Sequence, residues 1–247
     1  MRIFYLLSFL VISMAIIPSY AAQPQKCDET SLQSALICHT QNAEHGIGTS
    51  QLWLGDYYFT GQYRKPHYPK AETWYLKAGA NGMRRAQIRL GFMYAENHFP
   101  GVETNLDKAE HWFQKAATHN EPDGLFRLGN FYHHYIKPPN YEQAVVWLEK
   151  AAQLDYGSAQ YDLALIYKAG KLGTSNLEKA HHYLIAAAEN NIRQAQITLS
   201  GEYEAQQNYE QALFWAEKLA NGPGKPRLWR EKVKYLQGLI NQSQTQD

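Results

Sequence analysis

The sequence predicts an all-α protein, a right-handed α-solenoid of stacked antiparallel helix pairs with a capping helix at each end. Two repeating columns and one kind of loop predict it. The first column is Tyr58, Tyr94, Tyr132, Tyr167 and Tyr203, spaced 36, 38, 35 and 36 residues apart. Four residues before each stands a leucine (Leu54, Leu90, Leu128, Leu163, Leu199), and four earlier a small residue (Ser50, Ala86, Gly124, Ala159, Ala195). Steps of four stay on one helix face, and self-similarity at this period marks stacked helix pairs. The second column is Ala71, Ala109, Ala144, Ala180 and Ala212, each followed three residues on by Trp74, Trp112, Trp147, Tyr183 or Trp215. Four residues after the aromatic comes Ala78, Ala116, Ala151, Ala187 or Leu219. Between the two columns lie turns rich in Gly, Pro and Asn, at 61–69, 100–105, 137–140, 170–176 and 206–208.

In chain order, residues 1–22 read as a secretory signal peptide. Arg2 gives a short positive region, 3–17 is almost wholly apolar, and Ser19 and Ala21 suit cleavage after Ala21 or Ala22. Residues 23–46 form a leading segment and a capping helix, with Cys27 and Cys38 joined as a disulfide, the expected state of a close pair in an exported chain. Five repeats fill 47–224, a capping helix with a polar outer side spans 225–241, and 242–247 is a polar tail. Within the repeats a glycine follows the column leucine at Gly55, Gly91 and Gly129, with Ala164 and Ser200 in the last two units. A glycine inside a helix costs about 1 kcal/mol against alanine. Close approach of a neighbouring helix is the better reason for it.

At these residues the chain resembles the Sel-one-like repeat family, longer-looped relatives of the tetratricopeptide repeat. The resemblance runs over 46–222 and is carried by Leu90-Gly91-x-x-Tyr94, Gly101-Val102, Asp107-Lys108-Ala109 and Trp112-Phe113-x-Lys115-Ala116-Ala117. Unit three departs from it with Pro138-Pro139 in place of loop glycines, and unit five with a short loop of the ordinary tetratricopeptide kind. The resemblance implies an exported bacterial member that binds a protein or peptide segment in the concave groove lined by the first helix of each pair.

Composition narrows the partners. The 247 residues carry 24 Lys and Arg against 23 Asp and Glu; loss of Arg2 with the leader leaves 23 of each. A neutral chain lacks the basic field that nucleic acid requires and offers no polybasic patch to an anionic membrane. No second apolar stretch follows the leader, so the mature chain is expected to be a soluble monomer, periplasmic or secreted, without membrane insertion.

Chemistry is sparse. The chain has no S-x-x-K, H-E-x-x-H, C-x-x-C, G-x-S-x-G or Walker-type glycine loop, so no catalytic residue, metal site or cofactor is expected. His133-His134 and His181-His182 are adjacent in sequence. Neighbours on an α-helix point about 100° apart, so neither pair makes a two-ligand face. The positions where the repeats disagree are more informative. Just before the column leucine stand Trp53, Arg89, Arg127, Asp162 and Thr198; two after it stand Asp56, Phe92, Asn130, Leu165 and Gly201. These are i, i+3 neighbours and form one stripe along the stack. From it we assign Trp53, Asp56, Arg89, Phe92, Arg127, Asn130 and Asp162 to partner binding, with Arg89 and Arg127 as a clamp for a carboxylate. Packing between repeats is the other reading of Trp53 and Phe92. The basic, aromatic loop 64–70 is a second candidate surface.

The leading function is therefore a non-enzymatic interaction scaffold or adaptor in the bacterial envelope, linked to envelope regulation or host contact. One alternative is a secreted hydrolase similar to cysteine-rich β-lactam-hydrolysing repeat proteins, although those carry a cysteine pair in every repeat and this chain has none in its five. Another is a peptidoglycan- or glycan-binding module using its 18 Tyr and 6 Trp.

Overall fold

The computed structural model describes residues 26–61, 65–118, 120–223 and 226–244, so the leader 1–22, Arg64 of the basic loop and the end of the tail lie outside the described residues. Among the described residues every regular element is a helix. The order is α1 (Leu32–Glu44), α2 (Gly48–Thr60), α3 (Tyr68–Ala80), α4 (Arg84–Ala95), α5 (Leu106–Ala117) and α6 (Pro122–Asn130). There follow a π-helical turn (Phe131–Tyr135), α7 (Tyr141–Ala152), α8 (Gly157–Lys168), α9 (Leu177–Glu189), α10 (Arg193–Ala205), α11 (Tyr209–Asn221) and α12 (Pro226–Gln244). Each helix packs on the next, and the first helices of successive units also touch, α2 with α4 and α4 with α6.

The columns are the core. Leu54, Leu90, Leu128, Leu163 and Leu199 are buried, as are Ala71, Ala109, Ala144, Ala180 and Ala212. A Cβ on Gly55 would lie 2.4 Å from the Tyr75 ring, and one on Gly91 would lie 2.6 Å from Phe113. Close helix approach is what these glycines allow. The aromatic column is buried unevenly, with Trp112 and Trp215 in the core. Trp74, Trp147 and Tyr183 are only half-buried, while the residue after each aromatic is enclosed, at Tyr75, Phe113, Leu148, Leu184 and Ala216. The buried face steps by four from the alanine column, which leaves the i+3 ring on the shoulder of the interface. There a lysine covers it: Lys77 lies 4.3 Å from Trp74, and Lys150 4.0 Å from Trp147.

One backbone device closes all five loops. The residue capping each second helix (His67, Asn105, Asn140, Asn176, Asn208) accepts through its side chain from the N–H three residues on. Its own N–H donates to the carbonyl of the unit's column tyrosine at 2.8–3.0 Å, from Tyr58 through Tyr203. Loops of different length and composition therefore end on the same closure, which is how both the Pro138-Pro139 loop and the short fifth loop fit the stack.

A buried glutamine ties units together. The Nε2 atoms of Gln51, Gln87 and Gln196 donate to the carbonyls of Ala43, Gly79 and Ala188 at 2.9–3.0 Å, and Gln160 reaches Ala152 at 3.4 Å. On the far side Asn81 and Asn190 donate to the Oε1 of Gln51 and Gln160. Gln51 and Gln160 thus bridge the ends of two helices, whereas Gln87 and Gln196 bond to the preceding helix and the Gln87 Oε1 has no partner among the described residues. At the N-terminal end, Cys27 is bonded to Cys38 of α1, with Cα atoms 5.5 Å apart. At the other end Leu236 of α12 is fully buried against Ala212 and Ala216 of α11. Among the described residues, no helix is long and apolar enough to cross a membrane.

Candidate functional site

The stripe residues all lie on the first helices, turned toward one side by the i, i+3 step, and all are partly exposed. They fall into distinct local settings. Trp53 stacks between His39 (4.3 Å) and Tyr57 (5.6 Å), and with Asp56 and Glu29 it lines a pocket of about 270 Å³. Asp56 accepts from the Tyr75 hydroxyl at 2.8 Å and pairs with Arg85 at 3.2 Å and Arg89 at 3.9 Å. Burial first, then the Asp56 carboxylate, pushes the Tyr75 hydroxyl pKa well above the ordinary phenol value.

Arg89, Phe92 and Arg127 meet around a second pocket of about 360 Å³, and Arg84 and Arg85 from the first turn of α4 join them. Four guanidiniums thus converge from α4 and α6. Among the described residues their ion-pair partners are three: Glu121 holds Arg84 at 2.9 Å, Asp123 holds Arg127 at 3.1 Å, and Asp56 is shared by Arg85 and Arg89. The pocket keeps one positive charge in excess, and Arg89 has the loosest ion pair. Aromatic rings fix the guanidinium planes, Arg89 over Phe59 at 5.0 Å and Arg127 over Phe92 and Phe126 at 5.4 Å. Planar forks held this way suit an incoming carboxylate.

Asn130 and Asp162 line neither pocket. The Asn130 Oδ1 is buried with no hydrogen-bond partner among the described residues. No donor reaches the Asp162 carboxylate there either, and burial raises its pKa to about 6. Arg84 and Arg85 were not read from the sequence as site residues because they precede the repeating columns; their signal was the Arg84-Arg85-x-x-x-Arg89 cluster itself.

The first histidine pair departs from the α-helical expectation. His133 and His134 lie in the π-helical turn, and their rings stack at 4.0 Å. Burial, then His134, Lys171 and Lys137, lowers the His133 pKa to about 4, so the pair is neutral near pH 7. Among the described residues no three His, Cys, Asp or Glu side chains gather as a metal site.

A regular stack of five helix pairs with a variable surface stripe defines a repeat scaffold. A family model for the Sel1 repeat matches residues 48–83, 84–121, 122–156, 157–192 and 195–222, and the chain belongs to the Sel1 repeat family. Sel1-repeat proteins generally mediate protein–protein interaction and are generally non-catalytic. The chain is 34% identical over 116 residues to the Sel1-repeat-containing protein YjcO of Escherichia coli, a match covering 47% of this chain and 48% of YjcO. It is superposable on a Sel1 repeat protein from Oxalobacter formigenes with a TM-score of 0.64 and 28% identity, over 77% of this chain and 80% of that one. A protective antigen of uropathogenic Escherichia coli with an SLR fold gives a TM-score of 0.67 at 24% identity, over 87% of this chain and 48% of the antigen. The chain spans less than half the length of these curated relatives, 48% of YjcO and 15% to 40% of fungal, viral and meningococcal ones.

Proposed function

We propose that this protein is a non-enzymatic scaffold that binds an acidic segment of another protein along the stripe of its first helices. The observation that carries the reading is the meeting of Arg84, Arg85, Arg89 and Arg127 around Phe92 in one open pocket, with fewer carboxylates than guanidiniums. A carboxylate entering there exchanges water for two or more charge-assisted bonds with forks already held on aromatic faces. The same reading places the protein in an oxidising compartment outside the cytosol, supported by the Cys27–Cys38 bond and the leader-like 1–22.

Crosslinking in the native cell, followed by identification of the captured species, tests it. Arg89→Gln with Arg127→Gln is expected to reduce the main captured species at least tenfold while the thermal transition moves by no more than a few degrees. Glutamine keeps the length and polarity of the side chain, so the loss reports charge and fork geometry. Capture unchanged in the double variant overturns the assignment of this surface.

A further inference from the structure

The junction between units two and three is filled by four rings. Phe92 of α4 lies 5.2 Å from Phe113 of α5 and 6.4 Å from Tyr135, and Phe131 lies 5.6 Å from Phe113 and 6.3 Å from Tyr135. The corresponding positions at the junction of units four and five follow from the repeating columns. Phe92 stands two after its leucine, as Leu165 does; Phe113 stands four after its alanine, as Leu184 does. Phe131 and Tyr135 stand one before and three after their tyrosine, as Glu202 and Gln206 do. Four rings are thus replaced by two leucines, a glutamate and a glutamine. All four replacements line one cavity of about 410 Å³, the roomier counterpart of the filled junction. Thr198 also lines it, where the filled junction has Arg127 on the stripe.

The cavity has a partner-facing character. Its mouth carries leucines left in water, Leu165 at 43% and Leu177 at 65% exposure. Lys168 and Glu202 pair with each other at the rim, so the charges there are spent and the walls are apolar. Leu165 and Thr198 belong to the same two columns as Phe92 and Arg127, which puts the cavity on the stripe, two units beyond the arginine pocket. Neighbouring packed helices lie about 8–10 Å apart. Two steps along first helices therefore span roughly 16–20 Å, the reach of about six residues of extended chain at ~3.3 Å each.

We infer that this cavity is a socket for one aromatic side chain of the bound segment, set about six residues from the acidic residue held by the arginine pocket. The inference rests on the proposed binding of an acidic segment along the stripe. The occupant is a ring because rings occupy the equivalent volume where the repeat supplies its own. The two anchors read different chemistry, charge at units two and three and an apolar ring at units four and five. Together they give the scaffold a sequence preference that neither gives alone.

Two probes test it. Indole, ring-sized and uncharged, is expected to show saturation transfer by ligand-observed NMR with the full-length protein. Restoring the rings by Leu165→Phe with Leu184→Phe is expected to abolish that transfer while leaving the melting temperature unchanged or higher, because the cavity is filled from within. If that variant melts lower, Gln206→Tyr alone serves as the plug. No transfer to the parent protein, or transfer unchanged in a folded plug variant, overturns the socket. The second probe is a pair of peptides with Asp and Phe six residues apart in a Gly-Ser chain, in both orders, each compared with its Phe→Ala version. The parent protein is expected to prefer the Phe peptide at least tenfold, and the plug variant to lose that preference. Arg89→Gln with Arg127→Gln is expected to weaken both peptides alike. A Phe preference that survives the plug defeats the socket alone; peptide affinity indifferent to the arginine variant defeats the stripe reading instead.

Discussion

Asp162 is the stripe residue whose chemistry is most at odds with its surroundings. Its carboxylate receives no donor among the described residues, and burial lifts its pKa from 3.8 to about 6. The folded pKa lies above the unfolded one, so the protonated form is favoured by folding. The fold carries no penalty well below pH 4; the penalty grows between about pH 4 and pH 6 and is fully present above that. A shift of that size corresponds to at most about 3 kcal/mol, and partial exposure reduces it to roughly 1–2 kcal/mol. Asp162→Asn is therefore expected to raise the melting temperature by a few degrees at pH 7.5 and to leave it unchanged at pH 4. Melting curves at the two pH values check it; an equal gain at both would mean that ionisation is not the cause.

At the scale of the element, the buried glutamines explain how a stack of small helices keeps its register. Gln160 is buried, donating to the Ala152 carbonyl and accepting from Asn190. Truncation to alanine removes both bonds and leaves the Asn190 amide without its acceptor, while the Ala152 carbonyl keeps the Asp155 N–H, for an expected cost of about 1–2 kcal/mol. Chemical denaturation of Gln160→Ala measures it, and a loss under 0.5 kcal/mol would assign the bridge no energetic role. Unit three has Leu125 in this column, fully buried, so an apolar residue is accepted where the surrounding helices are shaped for it. This column was open to view in the sequence, seven residues before each tyrosine except in unit three. It went unread because glutamine is ordinarily a surface residue and only the carbonyls of the preceding helix reveal its partner. The leucine, alanine and glycine columns were legible because their spacing alone fixes a face. The spacing of the Trp column does not reveal that the next position is the one enclosed in every unit, since a 3.6-residue turn leaves i+3 and i+4 on opposite flanks of the interface. The arginine pair of the stripe was legible from residue type and column. The socket was not, because it is a difference between two junctions and appears only when four columns on separate helices are brought together.

For the whole molecule, contacts run between sequence neighbours along the stack, so stability is expected to be a chain of local terms rather than one global sum. The C-terminal end is a clear place to see this. Leu236 is a fully buried residue of α12, packed with Ala212 and Ala216, and Lys232 binds Glu204 of α10. Leu236→Ala is expected to cost about 2–5 kcal/mol where it acts. In a globular core that loss would lower protection everywhere. In this stack it should release α12 and loosen α11, while α2 to α6, which among the described residues do not pack against α12, keep theirs. Hydrogen exchange followed by mass spectrometry separates the two outcomes, with protection lost in 209–244 and retained in 48–130. Binding at the arginine pocket would then survive the variant, because its four guanidiniums rest on α4 and α6 alone. Uniform loss of protection across the chain would instead make the stack one cooperative unit, and a defect at either end would then reach the binding surface.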